Sequence, residues 1–152
     1  MKHRPARLAL ASPCSATIVF ALSLLTIAVG AYMSFLRPPL LPEDVRALGV
    51  DPNTLPPSLM RWLSLVFATW GAFIAAFGIV LIGVASALRT GGTRVLRRAS
   101  ALALMIAFGR FLWSNIVLRS DFLWFIALLF LLSLAAAVML VVGDRGPVRP
   151  RS

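Results

Sequence analysis

Arg110 is the residue of this 152-residue chain whose chemistry is hardest to leave idle, because it stands inside an otherwise apolar stretch with Ser114 one turn later and Asn115 beside it. A guanidinium is permanently charged and offers a planar fork of N–H donors that suits a carboxylate or a phosphate. Set among apolar residues it calls for an anion or for a network of carbonyls and hydroxyls. The five acids are Glu43, Asp44, Asp51, Asp121 and Asp144, and none of them lies in an apolar stretch. Partners open to Arg110 are therefore Ser114 on its own helix, Thr69, Ser64 and Ser34 elsewhere, the loop acids Glu43, Asp44 and Asp51 folding inward, or a bound anion such as a lipid phosphate, a carboxylate or an acidic small molecule. Two readings follow. Arg110 fixes the fold by pairing with a loop carboxylate and helix carbonyls, or Arg110, Ser114 and Asn115 form an intramembrane polar or anion-contact site.

Other chemistry is sparse. A single Cys14 makes no intramolecular disulfide and no Cys-x-x-Cys redox pair, and a single His3 cannot ligate haem from facing helices, so thiol oxidoreductases and membrane cytochromes fall away. Ser12-Pro13-Cys14 lacks the small-residue run that precedes a lipidated cysteine. No catalytic, cofactor-binding or metal-ligating residue is assigned and no cofactor is expected. Glu43, Asp44, Trp62 and Trp113 form a candidate outer cap. Lipid chemistry would need a base, and only Glu43, Asp44, Asp51 and Asp121 stand near the outer surface, so an enzyme is the least supported class.

The elements that position these residues are four apolar runs, 8–36, 62–88, 99–118 and 122–142, in a chain that is 60% hydrophobic with a mean hydropathy of +0.92. A run of about 18 or more apolar residues spans a bilayer as a helix. The expected fold is an all-α membrane protein, a left-handed four-helix bundle in a single domain 1–152. Its spans are 16–36, 59–88, 97–118 and 121–142, with a loop at 37–58 and a tail at 143–152. Arg110 lies roughly 18 Å from Arg98 and 13 Å from Arg119 along its helix. A central arginine costs about 2.5 to 3.5 kcal/mol to insert, offset by apolar residues at about −0.3 to −0.6 kcal/mol each. That margin favours placing Arg110 inside the bundle.

The net charge of +10 is divided by side. Lys2, Arg4, Arg7, Arg89, Arg94, Arg97, Arg98, Arg145, Arg149 and Arg151 fall on one side. Arg37, Arg46, Arg61 and Arg119 on the other are balanced by Glu43, Asp44, Asp51 and Asp121. By the positive-inside rule both termini are cytoplasmic, and the basic face meets anionic headgroups at about 1 kcal/mol per residue. Trp62, Trp70, Trp113 and Trp124 all fall in the outer halves of their spans. A nucleic-acid surface is excluded because the basic segments carry no stacking aromatics. Fourteen arginines against one lysine suit a GC-rich bacterial genome, which makes the membrane an inner membrane and the loop at 37–58 periplasmic. The first run is about twice a signal-peptide core, so a retained signal anchor is expected over cleavage after Ala28 to Ala31.

Residues 37–57 hold six of the ten prolines, yet 41–49 reads as a short amphipathic helix. Pro42 sits in its first turn, Glu43 and Asp44 lie where the dipole favours acids, Gly49 stops it, and Leu41, Val45 and Leu48 share a face. Ser58 is a candidate cap for the second span and Asp121 for the fourth. Ala68, Gly71, Ala75, Gly78 and Ala85 strip one face of the second span, for helix packing or a narrow ligand groove.

The stretch Pro38-Pro-Leu-Leu-Pro-Glu-Asp-Val-Arg46, then Leu59-x-x-Trp62-x-x-x-Val66-Phe67 and a glycine-rich second span, resembles small four-helix bacterial membrane proteins of the DoxX-like kind, with 36–67 the most specific part. That resemblance implies architecture and, for some members of the group, accessory roles beside redox enzymes; it implies no catalytic residue here. Small multidrug exporters use a glutamate in the first span, which this chain lacks, so proton-coupled antiport is not expected. The polar and charged residues that hold glutathione in membrane glutathione transferases have no counterpart here. The leading expectation is a non-enzymatic accessory protein contacting membrane lipids, a protein partner or further copies of itself. The alternative is a carrier or channel component for a small anionic or neutral solute that uses Arg110.

Overall fold

The computed structural model describes the backbone of residues 7–142 and side chains from Cys14 onward. Lys2, His3 and Arg4, and the tail 143–152 with its arginines, lie outside the described residues, as do the side chains of residues 7–13. The described chain is all helical. In order, α1 (Arg7–Ala31) runs into a π-helical turn (Tyr32–Leu36), followed by the short α2 (Pro42–Leu48), a 3-10 turn (Pro52–Thr54), α3 (Pro57–Arg89), α4 (Arg94–Val117) and α5 (Leu123–Val142). Four segments are long and apolar enough to cross a membrane: Cys14–Leu36, Pro57–Arg89, Arg94–Val117 and Leu123–Val142. Their bounds fall within a few residues of the predicted spans.

Local chemistry explains most boundaries. Pro57 occupies the first turn of α3 with Pro56 as its cap, so Ser58, expected as the cap, lies inside the helix. The Thr93 hydroxyl accepts from the Leu96 N–H at 3.1 Å and starts α4. Gly49 ends α2 in the left-handed conformation at φ 64°. At α5 the Ser120 hydroxyl, not Asp121, accepts the Phe122 N–H at 3.3 Å, while the Asp121 carboxylate pairs with Arg46 at 2.8 Å.

The helices come together in the order α3, α1, α5, α4. α1 lies along α3 for most of its length and also against α5, and α5 carries α4, while α3 and α4 scarcely meet. Each neighbouring pair is antiparallel by chain order, so the bundle has three packed seams and one open one. The core joins Val19 and Leu22 of α1 to Leu81 and Leu88 of α3, Leu104 and Phe108 of α4, and Leu129 and Leu140 of α5.

The α1/α3 seam is where the small face of the second span goes. A methyl on Gly30 would lie 2.5 Å from the Ala75 amide nitrogen. One on Gly71 would meet the Gly30 carbonyl oxygen at 2.6 Å, and one on Gly78 the Ile27 amide nitrogen at 2.9 Å. Backbone rests on backbone there, so the face holds a helix and leaves no groove for a ligand. Ser34 stitches the same seam, its hydroxyl donating to the carbonyls of Gly30 at 2.8 Å and Ala68 at 3.3 Å.

Candidate functional site

Two places carry polar chemistry: the end of the bundle where α2 meets the α4–α5 turn, and the exposed face of α4 around Arg110.

At the first, α2 is held by three polar links. Arg37 pairs with Asp44 at 2.6 Å, with side chains only 7% and 14% exposed, and its guanidinium stacks 3.5 Å from the centre of the Phe67 ring. Asp44 Oδ2 also accepts the Leu41 N–H at 2.8 Å, closing the first turn of α2. Arg46 pairs with Asp121 at 2.8 Å in the open. Between these ion pairs, Glu43 is buried at 3% exposure and accepts a hydrogen bond from the Ser120 hydroxyl at 3.0 Å on Oε1. Its second oxygen, Oε2, is buried with no hydrogen-bond partner.

Ser120 reaches Glu43 because of how α4 ends. The Ser120 N–H donates to the Asn115 carbonyl and the Arg119 N–H to that of Ile116, and Arg119 takes a left-handed φ of 50°. That conformation costs a non-glycine residue about 1–2 kcal/mol. It turns the chain within three residues so that Ser120 faces α2.

The apolar stripe of α2 is not its most buried side. Leu41 and Val45 are half-buried, Leu48 is exposed, and Glu43, on the opposite side of the helix, is the buried residue. The surface beneath α2 is the polar turn at 119–121, which a carboxylate can bond and a leucine cannot. Ser120, Arg37 and Phe67 were not singled out from sequence. Ser120 lies in the short gap between the apolar runs 99–118 and 122–142, and nothing local marks the other two. Of the candidate cap residues, Glu43 and Asp44 are brought together on α2, whereas Trp62 and Trp113 stand 58% and 59% exposed and join no ring contact among the described residues.

The second place is Arg110. It is exposed on α4, not drawn into the bundle as the insertion argument favoured, since α5 covers only the opposite side of α4, with Ala101, Leu104 and Phe108. No described carboxylate lies within ion-pair distance of it. The groups proposed as its partners are spent elsewhere. The Ser114 hydroxyl donates to the Arg110 carbonyl at 3.0 Å and the Asn115 amide to that of Phe111 at 2.9 Å. Ser64 and Thr69 bond the carbonyls of Met60 and Leu65. Asp51 accepts from the Asn53 amides, Asp44 holds Arg37, and Glu43 holds Ser120. Ser114 and Asn115 thus sit beside Arg110 in sequence, with their own donors given to helix carbonyls.

Cys14 is free and exposed, and the described residues contain no cluster of three or more metal-ligating side chains. No family model matches the chain, and neither a curated protein nor a solved structure does.

Proposed function

We propose that this is a small integral protein of a bacterial inner membrane, with both termini in the cytoplasm, that acts without catalysis as an accessory to other membrane components through its lipid-facing and partner-facing surfaces. The observation that carries this reading is the exposed, centrally placed Arg110, whose candidate partners among the described residues each bond another group. An intramembrane cation left on the outside of a folded chain is an invitation to a neighbour.

The rest of the polar inventory supports the same reading. Span hydroxyls such as Thr26, Ser64, Thr69 and Ser133 bond carbonyls of their own helices, which neutralises them and presents nothing to a substrate. The four tryptophans are exposed, as an interfacial belt requires. On this orientation α2 is the periplasmic helix, and its apolar stripe faces lipid. The DoxX-like resemblance enters as architecture alone. A solute path through one copy would bring Arg110 inward, so its exposure favours contact over conduction.

Mass spectrometry of the protein extracted within native lipid tests the proposal. A second protein or a defined lipid at fixed stoichiometry is the expected result. A bound acidic solute without either, together with anion flux in reconstituted vesicles that Arg110→Leu abolishes, would replace it with the carrier alternative.

A further inference from the structure

Arg110 does not stand alone on its face. Leu102, Ile106, Trp113 and Val117 follow one another with it at steps of four and three residues, and each is 59% to 63% exposed. These residues and Arg110 form one continuous stripe along α4, because residues three and four apart lie on the same side of a helix. Ala99 and Ala103, also exposed, flank it with small side chains that let another backbone approach. The geometry points to a transmembrane helix of another protein, bearing an aspartate or glutamate at mid-membrane depth, as the occupant of this stripe, with Arg110 as its ion-pair partner. The inference rests on the accessory reading and deepens it by naming the surface and the chemistry of the partner.

Charge and depth select this occupant. A second copy of the chain brings no carboxylate to that level: all five acids lie outside the spans, Glu43 is buried, and Asp44 is bonded to Arg37. A lipid headgroup is far away in either direction. Arg119 is nine residues on, about 13 Å, and Arg98 twelve residues back, about 18 Å. The Cα–Cβ bond of a helical residue tilts toward the helix N-terminus, so the Arg110 side chain leaves α4 toward the more distant of those surfaces. A carboxylate on an adjacent helix meets the guanidinium at its own depth, and the apolar residues on both sides exclude the water that would weaken the pair.

The test uses the full chain in neutral phosphatidylcholine vesicles, labelled at the exposed Cys14. Its association is read by energy transfer with a leucine-rich transmembrane peptide of about 20 residues carrying Glu, Gln or Leu at its centre. The Glu peptide is expected to bind about five- to thirty-fold more tightly than the Leu peptide. Arg110→Leu should erase that preference and Arg110→Lys should keep part of it. A photo-reactive residue at Ile106 should capture the Glu peptide, and one at Ile79 on α3 should not, which reports on the folded surface even where Arg110→Leu expresses poorly.

Equal binding of all three peptides overturns the inference. So does loss of the preference when the vesicles are made of phosphatidylglycerol, which gives Arg110 to a lipid phosphate, and so does capture at Ile106 of a second copy of the chain in place of the peptide. If native-lipid mass spectrometry finds a protein partner that persists in Arg110→Leu, the accessory reading stands and this inference falls. If it finds neither a protein partner nor a defined lipid at fixed stoichiometry, the accessory reading falls whatever the peptides do.

Discussion

Glu43 and Arg110 are both charged side chains in unexpected positions, and the same comparison of costs explains each. Burying a carboxylate oxygen without a partner is costly, so the one hydrogen bond from Ser120 matters more than its count suggests. Ser120→Ala leaves Glu43 with no described side-chain donor and also removes the acceptor for the Phe122 N–H. A loss of about 1–3 kcal/mol is expected, read as a lowered unfolding midpoint in detergent, whereas Glu43→Gln, which keeps an oxygen for Ser120, should lose less. Equal loss in the two variants would show that the bond is incidental to the burial. Arg37 is a stronger case, because its pair with Asp44 is largely buried and its guanidinium lies over the Phe67 ring. Arg37→Ala leaves the largely buried Asp44 carboxylate with only the Leu41 N–H and should cost about 3–5 kcal/mol. Arg37→Lys should recover only part of that, since an ammonium neither forks nor stacks in the same way. Sequence made Arg110 conspicuous, because an arginine among leucines needs no neighbours to be noticed. It could not show Arg37 stacking on Phe67, since thirty residues separate them and neither type is unusual where it stands.

Among the elements, those governed by local rules were the legible ones. Hydropathy fixed the spans, and Pro42 with Gly49 fixed α2, because caps and turn residues act within a few positions. The direction in which α2 faces was not legible. The apolar stripe Leu41, Val45 and Leu48 implies an inward side only where the surface beneath is apolar, and here that surface is the Ser120 turn. The small face of α3 was legible as a close contact but not its partner, since α1 and any other helix would satisfy the same glycines. The structure assigns it to α1, and a matched pair of substitutions checks the assignment. Gly71→Ala places a methyl against the Gly30 carbonyl and the Ser34 hydroxyl, so α1 and α3 must part. A cost of about 1–3 kcal/mol is expected, measured as a lowered unfolding midpoint. Gly83→Ala, with nothing within 4 Å, should be neutral or slightly favourable through helix propensity. If both behave alike, α3 does not meet α1 through its glycines.

At the scale of the whole molecule, the open seam between α3 and α4 and the distribution of arginines bear on the same issue, how the protein sits in its membrane. The end of the bundle holding the α3–α4 connection carries Arg89, Arg94, Arg97 and Arg98 without a single described acid, while the end with α2 mixes Arg37, Arg46, Arg61 and Arg119 with four carboxylates. Cationic side chains resist translocation and acids contribute little to the choice, so the proposed orientation puts the first end in the cytoplasm even though the whole chain is basic. The 33 residues of α3 make a helix of about 50 Å, longer than a hydrocarbon core of about 30 Å, so α3 tilts or extends beyond the membrane. α3 packs on α1 through its glycines and scarcely meets α4, and the proposed orientation decides which membrane surface Arg110 lies nearer. Reporter fusions settle the orientation on which this depends. A reporter active only in the periplasm should work when fused after Asp51 and fail after Thr93, and a cytoplasmic reporter should give the reverse. Periplasmic activity after Thr93 would invert the molecule. The basic connection would then have crossed the membrane against its charge, α2 would lie in the cytoplasm, and Arg110, nine residues from Arg119, would be nearer the inner surface than the outer.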